Sequence, residues 1–518
     1  MPRAPLALPA RDALLGLPLL VWLMAVTAAA MLLPALHGFL SAEHDAGRPF
    51  LYGALLLAVL TGMIGLATWQ QGAAVDARGA EARGSHLRAL VAAYVVLPPL
   101  MAWPFAEALP DTRFVNAWFE MLSSFTTTGA TLYDVPGRLP ESLHLWRGLV
   151  AWLGGFFILV MAVSVLMPLN LGGMEVLNGR TGPARARQID RVADPSERMV
   201  RFAAELSAPY AGFTALLWLA LVMAGESGFH GLCLAMATIS TSGILPDGMT
   251  GPAASGMVGE ALVAVLLCLG LTRRAYPGAL FDDGDLPLTR DPEIRLAAAV
   301  ILAVTVILLF RHWGGAASFA DAGDLGAMLA AGWGAAFTAL SFLSTTGFAS
   351  AEWETARLWS GMETHGLILL GLAIMGGGVA TTAGGVKLLR VYALVLQGQG
   401  ELQRLVHPRV VTGGGTLARH LRGEGARMAW VFFMLFAISI AVVTAGLTLA
   451  GLDFNTALIA GLAGLTTTGP LIGLAAEAPI RLMDMGLAAK AILGGAMVLG
   501  RIEALALLAV LAPQNWRR

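Results

Sequence analysis

Long apolar blocks alternate along the chain with shorter amphipathic ones, and the alternation is regular. A crossing helix needs roughly 20 mainly apolar residues. Leu14–Leu36 and Leu51–Trp69 satisfy this as a leading pair. A pattern then repeats: a long apolar segment, a short amphipathic segment, a loop of hydroxyl residues ending in glycine, and a second apolar segment. The first unit comprises Leu87–Phe105, Val115–Phe125, the loop at Gly129 and Leu145–Leu169. The second comprises Phe202–Ala224, Gly231–Thr238, the loop at Gly243 and Met257–Leu271. The third comprises Leu296–Phe310, Trp333–Leu343, the loop at Gly347 and Gly366–Met375, and the fourth Trp430–Ala450, Asn455–Leu465, the loop at Gly469 and Ala488–Leu511. The short segments cannot cross a bilayer. A polar loop at membrane depth is tolerated only inside protein or beside a wet cavity, so each short segment with its loop is expected to dip in and return. The expectation is ten spans and four re-entrant loops, an all-α polytopic membrane protein.

The loops are four versions of one motif. SSFTTTGAT at Ser123–Thr131 returns as ATISTSGIL at Ala237–Leu245, SFLSTTGFA at Ser341–Ala349 and GLTTTGPLI at Gly464–Ile472. Their glycines lie 114, 104 and 122 residues apart, so each period holds one whole supersecondary unit. The implied organisation is a leading helix pair over residues 1–75, then repeats over 76–180, 181–280, 281–400 and 401–518, around one ion pathway.

Composition agrees. Of the 518 residues, 57% are hydrophobic and 13% charged, against about 25% charged in soluble chains, and mean hydropathy is +0.71. A net charge of −1 gives no argument for a nucleic-acid partner. Cys233 and Cys268 both sit in apolar stretches, which supports neither disulfide nor zinc and leads us to expect two small buried residues. The N-terminus reads as a retained first span rather than a signal peptide. Arginines cluster in alternate connectors: Arg78 to Arg88, Arg180 to Arg201, Arg273 to Arg295 and Lys387 to Arg427. With ten spans these fall on one face, with Arg3 and Arg517–Arg518, and the positive-inside rule makes that face and both termini cytoplasmic.

A cation stripped of water needs a cage of oxygens. Backbone carbonyls supply one where the chain bends them inward, and glycine permits the left-handed turn this requires. The preceding Thr and Ser add hydroxyl oxygens, and short helices aimed with their C-termini at a common axis add negative dipole ends. One copy of such a loop could be an ordinary polar turn; four copies in register argue for a ring.

On these loops, together with LNLGGMEVL (Leu169–Leu177), DPEIR (Asp291–Arg295), GGGVATTAGGVKLLR (Gly376–Arg390), ELQRLVHPRVV (Glu401–Val411) and GRIEALALL (Gly500–Leu508), the chain resembles the Trk/Ktr/HKT superfamily of potassium uptake proteins, and within it the bacterial TrkH type. The resemblance implies K+ as the transported ion, held by Thr127, Thr128 and Gly129; Thr241, Ser242 and Gly243; Thr345, Thr346 and Gly347; and Thr467, Thr468 and Gly469. In plant relatives, serine in place of the first of these glycines goes with sodium transport, so Gly129 favours K+. Ile244 and Pro470, following the second and fourth glycines, depart from the family pattern. The resemblance also implies a cytosolic nucleotide-binding regulatory ring of the TrkA kind as partner, a homodimer, and a place in the bacterial inner membrane.

Two features interrupt the spans. Met375–Gly385 carries Gly376, Gly377, Gly378, Gly384 and Gly385 around Thr381 and Thr382, too many glycines for a continuous helix. It reads either as a benign kink or, as the resemblance favours, as a gating loop beneath the filter. Arg501 falls inside the last apolar segment, where a charge is costly. It either snorkels, pairs with Glu503 or Glu175, or, as the resemblance favours, lines the pathway. Lys490 reads as an interfacial anchor, His230, His312, His365 and His420 as interfacial, and Glu107, Asp134 and Asp247 as a solvated outer rim. No nucleotide-binding motif or metal-spaced histidine cluster is present, so no cofactor is expected in this chain, nor enzymatic activity. A secondary transporter with broken helices remains an alternative, though it would ordinarily show two inverted halves rather than four parallel units.

Overall fold

A computed structural model describes residues 18–72, 79–169, 171–176, 195–248, 251, 254–275, 288–315, 325–362, 364–407, 425–476 and 478–503. Most of the expected basic connectors, the end of the last expected span and the terminal arginines lie outside these residues. The leading pair is α1 (Leu19–Leu40) and α2 (His44–Gly72), packed as an antiparallel hairpin. The first repeat is α3 (Gly79–Ala108), α4 (Phe114–Phe125) and α5 (Glu141–Met161), the last prolonged by a π-helical turn over Ala162–Leu166. The second is α6 (Pro195–Met223), α7 (Gly228–Ser240) and α8 (Gly256–Leu267). The third is α9 (Pro292–Gly315), α10 (Leu325–Leu343), the amphipathic α11 (Trp353–Ser360), α12 (Gly366–Met375) and α13 (Leu388–Val406). The fourth is α14 (Ala426–Leu449), α15 (Phe454–Leu465), the single turn α16 (Leu471–Leu474) and α17 (Leu487–Ile502).

Eight of the described helices are long and apolar enough to cross a membrane: α1, α2, α3, α5, α6, α9, α10 and α14. Side chains such as Leu55, Leu66, Met223, Leu302 and Leu449 project outward exposed, a surface suited to hydrocarbon rather than water. Two expectations change. The short segment of the third repeat is not Trp333–Leu343 alone: α10 begins eight residues earlier, at Leu325, because LGAMLAAG is itself apolar and helix-forming. The second apolar segments of repeats two and three, α8 and α12, are too short to cross as single straight helices. Helix α13 runs through residue 400, where the third repeat was expected to hand over to the fourth.

The packing order brings the loops together. In every repeat the short helix lies against the outer helix that precedes it: α4 on α3, α7 on α6, α10 on α9, α15 on α14. Each repeat's return helix then packs on the next repeat's short helix: α5 on α7, α8 on α10, α12 on α15, and α17 back on α4. That closes a circle in chain order with the four helix C-termini inside it. Aromatic packing fills the first sector, where Tyr94, Phe125 and Phe157 meet with ring centroids 5.1–5.8 Å apart.

Candidate ion pathway

Each short helix ends in the same turn. Two residues before each loop glycine stands a threonine in the left-handed region: Thr127 at φ 54°, Thr241 at 52°, Thr345 at 59° and Thr467 at 52°. The amide of each bonds three residues back, to Ser124, Thr238, Phe342 and Gly464, and the next amide bonds five back, to Ser123, Ala237, Ser341 and Ala463. This is a helix-terminating turn that ordinarily takes glycine at the left-handed position. A β-branched residue there is strained, and such strain gathers at functional sites. Its use four times turns the carbonyls off the helix ladder at the same register in every loop. Sequence reasoning assigned the left-handed geometry to the glycines alone. Gly129, Gly243 and Gly347 do adopt it, at φ 75°, 67° and 85°, but Gly469 does not, because Pro470 biases the residue before it towards extended backbone. A threonine run at a helix end carries no signal that would have revealed the strained position.

The glycines are where neighbouring loops touch. A Cβ on Gly129 would lie 2.0 Å from the Ser242 carbonyl oxygen, and one on Gly243 would lie 2.3 Å from that of Thr346. On Gly347 it would strike the Pro470 ring at 2.8 Å, and on Gly469 it would fall 2.1 Å from the Ala130 amide nitrogen. Loop 1 therefore meets loop 2, loop 2 meets loop 3, loop 3 meets loop 4 and loop 4 returns to loop 1, with a Gly469 amide to Thr128 carbonyl hydrogen bond at the last seam. All twelve expected filter residues lie in this one ring, eleven of them buried and Gly129 half-buried. Paired hydroxyls brace three of the loops: Thr126 with Thr128 at 2.8 Å, Ser240 with Ser242 at 3.0 Å, and Ser344 with Thr346 at 3.1 Å. The buried hydroxyls of Thr127 and Thr467 have no partner among the described residues.

The break after α12 falls where the sequence placed it, and residues 376–387 are buried without exception. The loop is bonded to two of the ring's four turns: the Gly384 amide donates to Thr345 Oγ1 at 2.7 Å, and Thr382 Oγ1 donates to the Ile239 carbonyl at 3.3 Å. A Cβ on Gly384 would lie 2.3 Å from Thr467 Oγ1, so a third turn of the ring is in contact. On its other side the loop is tied down by Glu293, whose carboxylate accepts the Val379 amide at 2.8 Å, and by the Gly378 amide to Gly270 carbonyl bond at 2.9 Å.

Arg501 is buried, and its Nη1 donates to the Thr382 carbonyl at 2.6 Å. It does not snorkel. Nor does it pair with Glu503, whose carboxylate is taken by Arg390 at 2.7 Å. Lys490 is no interfacial anchor: it is buried and donates to Asn116 Oδ1 at 2.9 Å and to the Met483 carbonyl at 3.0 Å, fastening α17 to α4. His230 is buried against Asp247 at 2.8 Å and His365 reaches the Leu474 carbonyl at 3.1 Å, so neither is simply interfacial. His420 and the side chain of His312 lie outside the described residues. Cys233 is buried as expected; Cys268 is exposed, on the outward side of the turn following α8. Glu107, Asp134 and Asp247 are exposed, and Asp134 lines a cavity of about 700 Å³ reaching Gly129 and Gly243.

Comparison with known proteins accords with this geometry. A family model described as TrkH, cation transport protein, matches residues 298–517. The crystal structure of the potassium transporter TrkH from Vibrio parahaemolyticus superposes with a TM-score of 0.76 at 25% identity, covering 98% of this chain and 100% of that one. The chain is TrkH-like. The Trk system potassium uptake protein TrkH of Vibrio parahaemolyticus is 29% identical over 437 residues, 82% of this chain and 84% of its own. The Trk system potassium uptake protein TrkI of Halomonas elongata is 27% identical over 433 residues, 82% of each. The matched family and these relatives are described as transport proteins.

Proposed function

We propose that this chain carries out potassium uptake across the bacterial inner membrane, passing K+ through the ring formed by Thr127, Thr128, Gly129, Thr241, Ser242, Gly243, Thr345, Thr346, Gly347, Thr467, Thr468 and Gly469. The observation that carries the reading is the left-handed threonine repeated at one register in four loops that contact each other in closed order. A cation shedding its water there would be met by main-chain oxygens, with four helix C-termini adding negative potential. The unpartnered Thr127 and Thr467 hydroxyls are spare oxygens at the inner end.

In this reading the segment carrying Gly376, Gly377, Gly378, Thr381, Thr382, Gly384 and Gly385 is the gate, and Arg501, held on the Thr382 carbonyl, limits how long a cation dwells beneath the filter. The repeats occupy residues 76–180, 181–280, 281–400 and 401–518 behind a leading pair over 1–75. A TrkA-like cytosolic ring governs the gate, the working form is a homodimer, and both termini are cytoplasmic. Purified chain in liposomes, challenged with K+ or Na+ gradients, tests the proposal. Expected is uptake of K+ in clear preference to Na+; uptake of neither ion, or equal uptake of both, would overturn it. Repeating the assay with and without a pH gradient separates passive flux from coupled transport.

A further inference from the structure

The four loops share one turn, but they are not held alike beyond it. Nine residues before each loop glycine, the short helix places a side chain beside the outgoing strand. In loop 1 this is Glu120, whose Oε2 accepts the Leu132 amide at 3.0 Å while Oε1 accepts the Thr131 hydroxyl at 2.9 Å. In loop 3 it is Thr338, whose hydroxyl accepts the matching amide, that of Ser350, at 3.2 Å. In loops 2 and 4 the position holds Leu234 and Ala460, which can accept nothing.

Loop 3 has a carboxylate too, supplied by another element. Glu260 of α8 accepts Trp333 Nε1 at 2.6 Å and Ser350 Oγ at 2.7 Å on Oε2, and the Ala351 amide at 2.7 Å on Oε1. Both carboxylates are 1% exposed. Glu120 is balanced by Arg147 at 2.7 Å, whereas among the described residues Glu260 has no cationic partner, only neutral donors. A buried carboxylate costs several kcal/mol of desolvation, so an apolar side chain at residue 260 would be the cheaper choice for packing alone. What the carboxylate adds is several charge-assisted hydrogen bonds converging on one strand.

At their glycines loops 1 and 3 meet loops 2 and 4 and not each other, so they face each other across the ring, while loops 2 and 4 also approach one another where Gly243 meets the Pro470 ring. We propose that Glu120 and Glu260 are positioning residues that hold this opposed pair at fixed separation and thereby set the discrimination of K+ from Na+. Loop 4 is instead stiffened by its own backbone, as α16 begins directly after Pro470, and loop 2 has no buried carboxylate, its outgoing segment being tied to α7 by His230 on the exposed Asp247. The filter is thus clamped along one diagonal. The inference rests on the uptake reading above and adds two residues that touch no ion.

The test is ion selectivity in liposomes for the full chain and for Glu120→Gln and Glu260→Gln. Glutamine keeps size and one acceptor but turns an NH2 towards an existing donor. Na+ uptake relative to K+ is expected to rise roughly threefold to tenfold in each variant, the scale of losing a charge-assisted hydrogen bond to a buried strand. Variants that keep the wild-type elution profile and melting temperature and also the wild-type ratio would overturn the proposal. If either glutamine variant does not fold, Ser350→Ala and Thr131→Val remove donors and leave the carboxylates in place; they are expected to shift the ratio the same way, and an unchanged ratio in both overturns the proposal. A wild-type chain that carries neither ion overturns the uptake reading itself, which distinguishes the two failures.

Discussion

Gly129→Ser is the substitution whose effect the ring geometry specifies most closely. Gly129 sits at φ 75°, where a residue bearing Cβ costs roughly 1–2 kcal/mol. The new Cβ would lie 2.0 Å from the Ser242 carbonyl oxygen and 3.2 Å from its carbon, whereas ordinary contact begins at 3.4 Å. Loops 1 and 2 must therefore part. Loop 1 is pinned two and three residues further on by Glu120, while loop 2 carries Leu234 at the matching position, so the displacement falls on loop 2 and carries the Ser242 carbonyl away from the axis. If the dihedral strain alone is borne by the K+-occupied ring, 1–2 kcal/mol corresponds to a 5- to 30-fold loss of preference for K+ over Na+. Competition between the two ions for uptake into liposomes, with the variant's folding checked by size exclusion, measures this directly. A folded Gly129→Ser protein with wild-type discrimination would refute both the seam between loops 1 and 2 and the role given to its carbonyls.

Three further outcomes are expected. Shortening the loop between Met375 and Lys387 should raise ion flux, because the segment is wholly buried against the filter; a folded deletion variant with unchanged or lower flux would remove it as the gate. Arg501→Ala should alter conduction while the protein still folds, since the Thr382 carbonyl loses its donor, and wild-type uptake would count against a place for Arg501 in the pathway. In the turn between α1 and α2, Glu43 accepts from the Ser142 hydroxyl at 2.6 Å and from the Ser142 and Glu141 amides at 3.1 and 3.0 Å, fixing the start of α5. Partial burial opposes ionisation of Glu43, but these hydrogen bonds and nearby His37 outweigh it and hold its pKa below the ordinary carboxylate value. A folded-state pKa below the unfolded one contributes stability above the unfolded value, about 4.3, and loses it as pH falls through the folded one. The melting temperature of wild type should therefore exceed that of Glu43→Gln at pH 7 and converge on it in acid; a gap independent of pH would disprove the clamp.

Much of this arrangement is written in residue type and spacing. Apolar length separates crossing segments from short ones, a hydroxyl run before glycine marks each loop, and the glycine density of residues 376–385 ends α12 where expected. What escaped notice depends on contacts distant in sequence. Lys490 looks like a membrane anchor until α17 is seen to close the circle against α4, which brings Asn116 to it. Glu120 and Glu260 are isolated acids in apolar helices, and their meaning appears only when Leu132 and Ser350 fold back over them. The strained threonines were invisible because local propensity argues against that conformation, and only the closed ring compensates for it. The length of α10 was missed for a simpler reason: its first eight residues are apolar enough to join either the connector or the helix.

The ring and the glycine loop are not separable parts. The loop bonds upward to Thr345 and to the Ile239 carbonyl, both within the turns that build the ring, and sideways to Glu293 and Gly270. A typical hydrogen bond contributes about 0.5–1.5 kcal/mol net, so the two upward bonds hold only a few kcal/mol at most. Coupling energies between distant sites are typically 1–3 kcal/mol, which is the same order. The lateral anchors are stronger, since Glu293 also accepts both the amide and a guanidinium nitrogen of Arg273 at 3.2 Å. In the proposed gate, movement is therefore easiest at Gly384 and hardest at Val379. Withdrawal there would release the Thr345 hydroxyl towards a passing cation in the same step that clears the path.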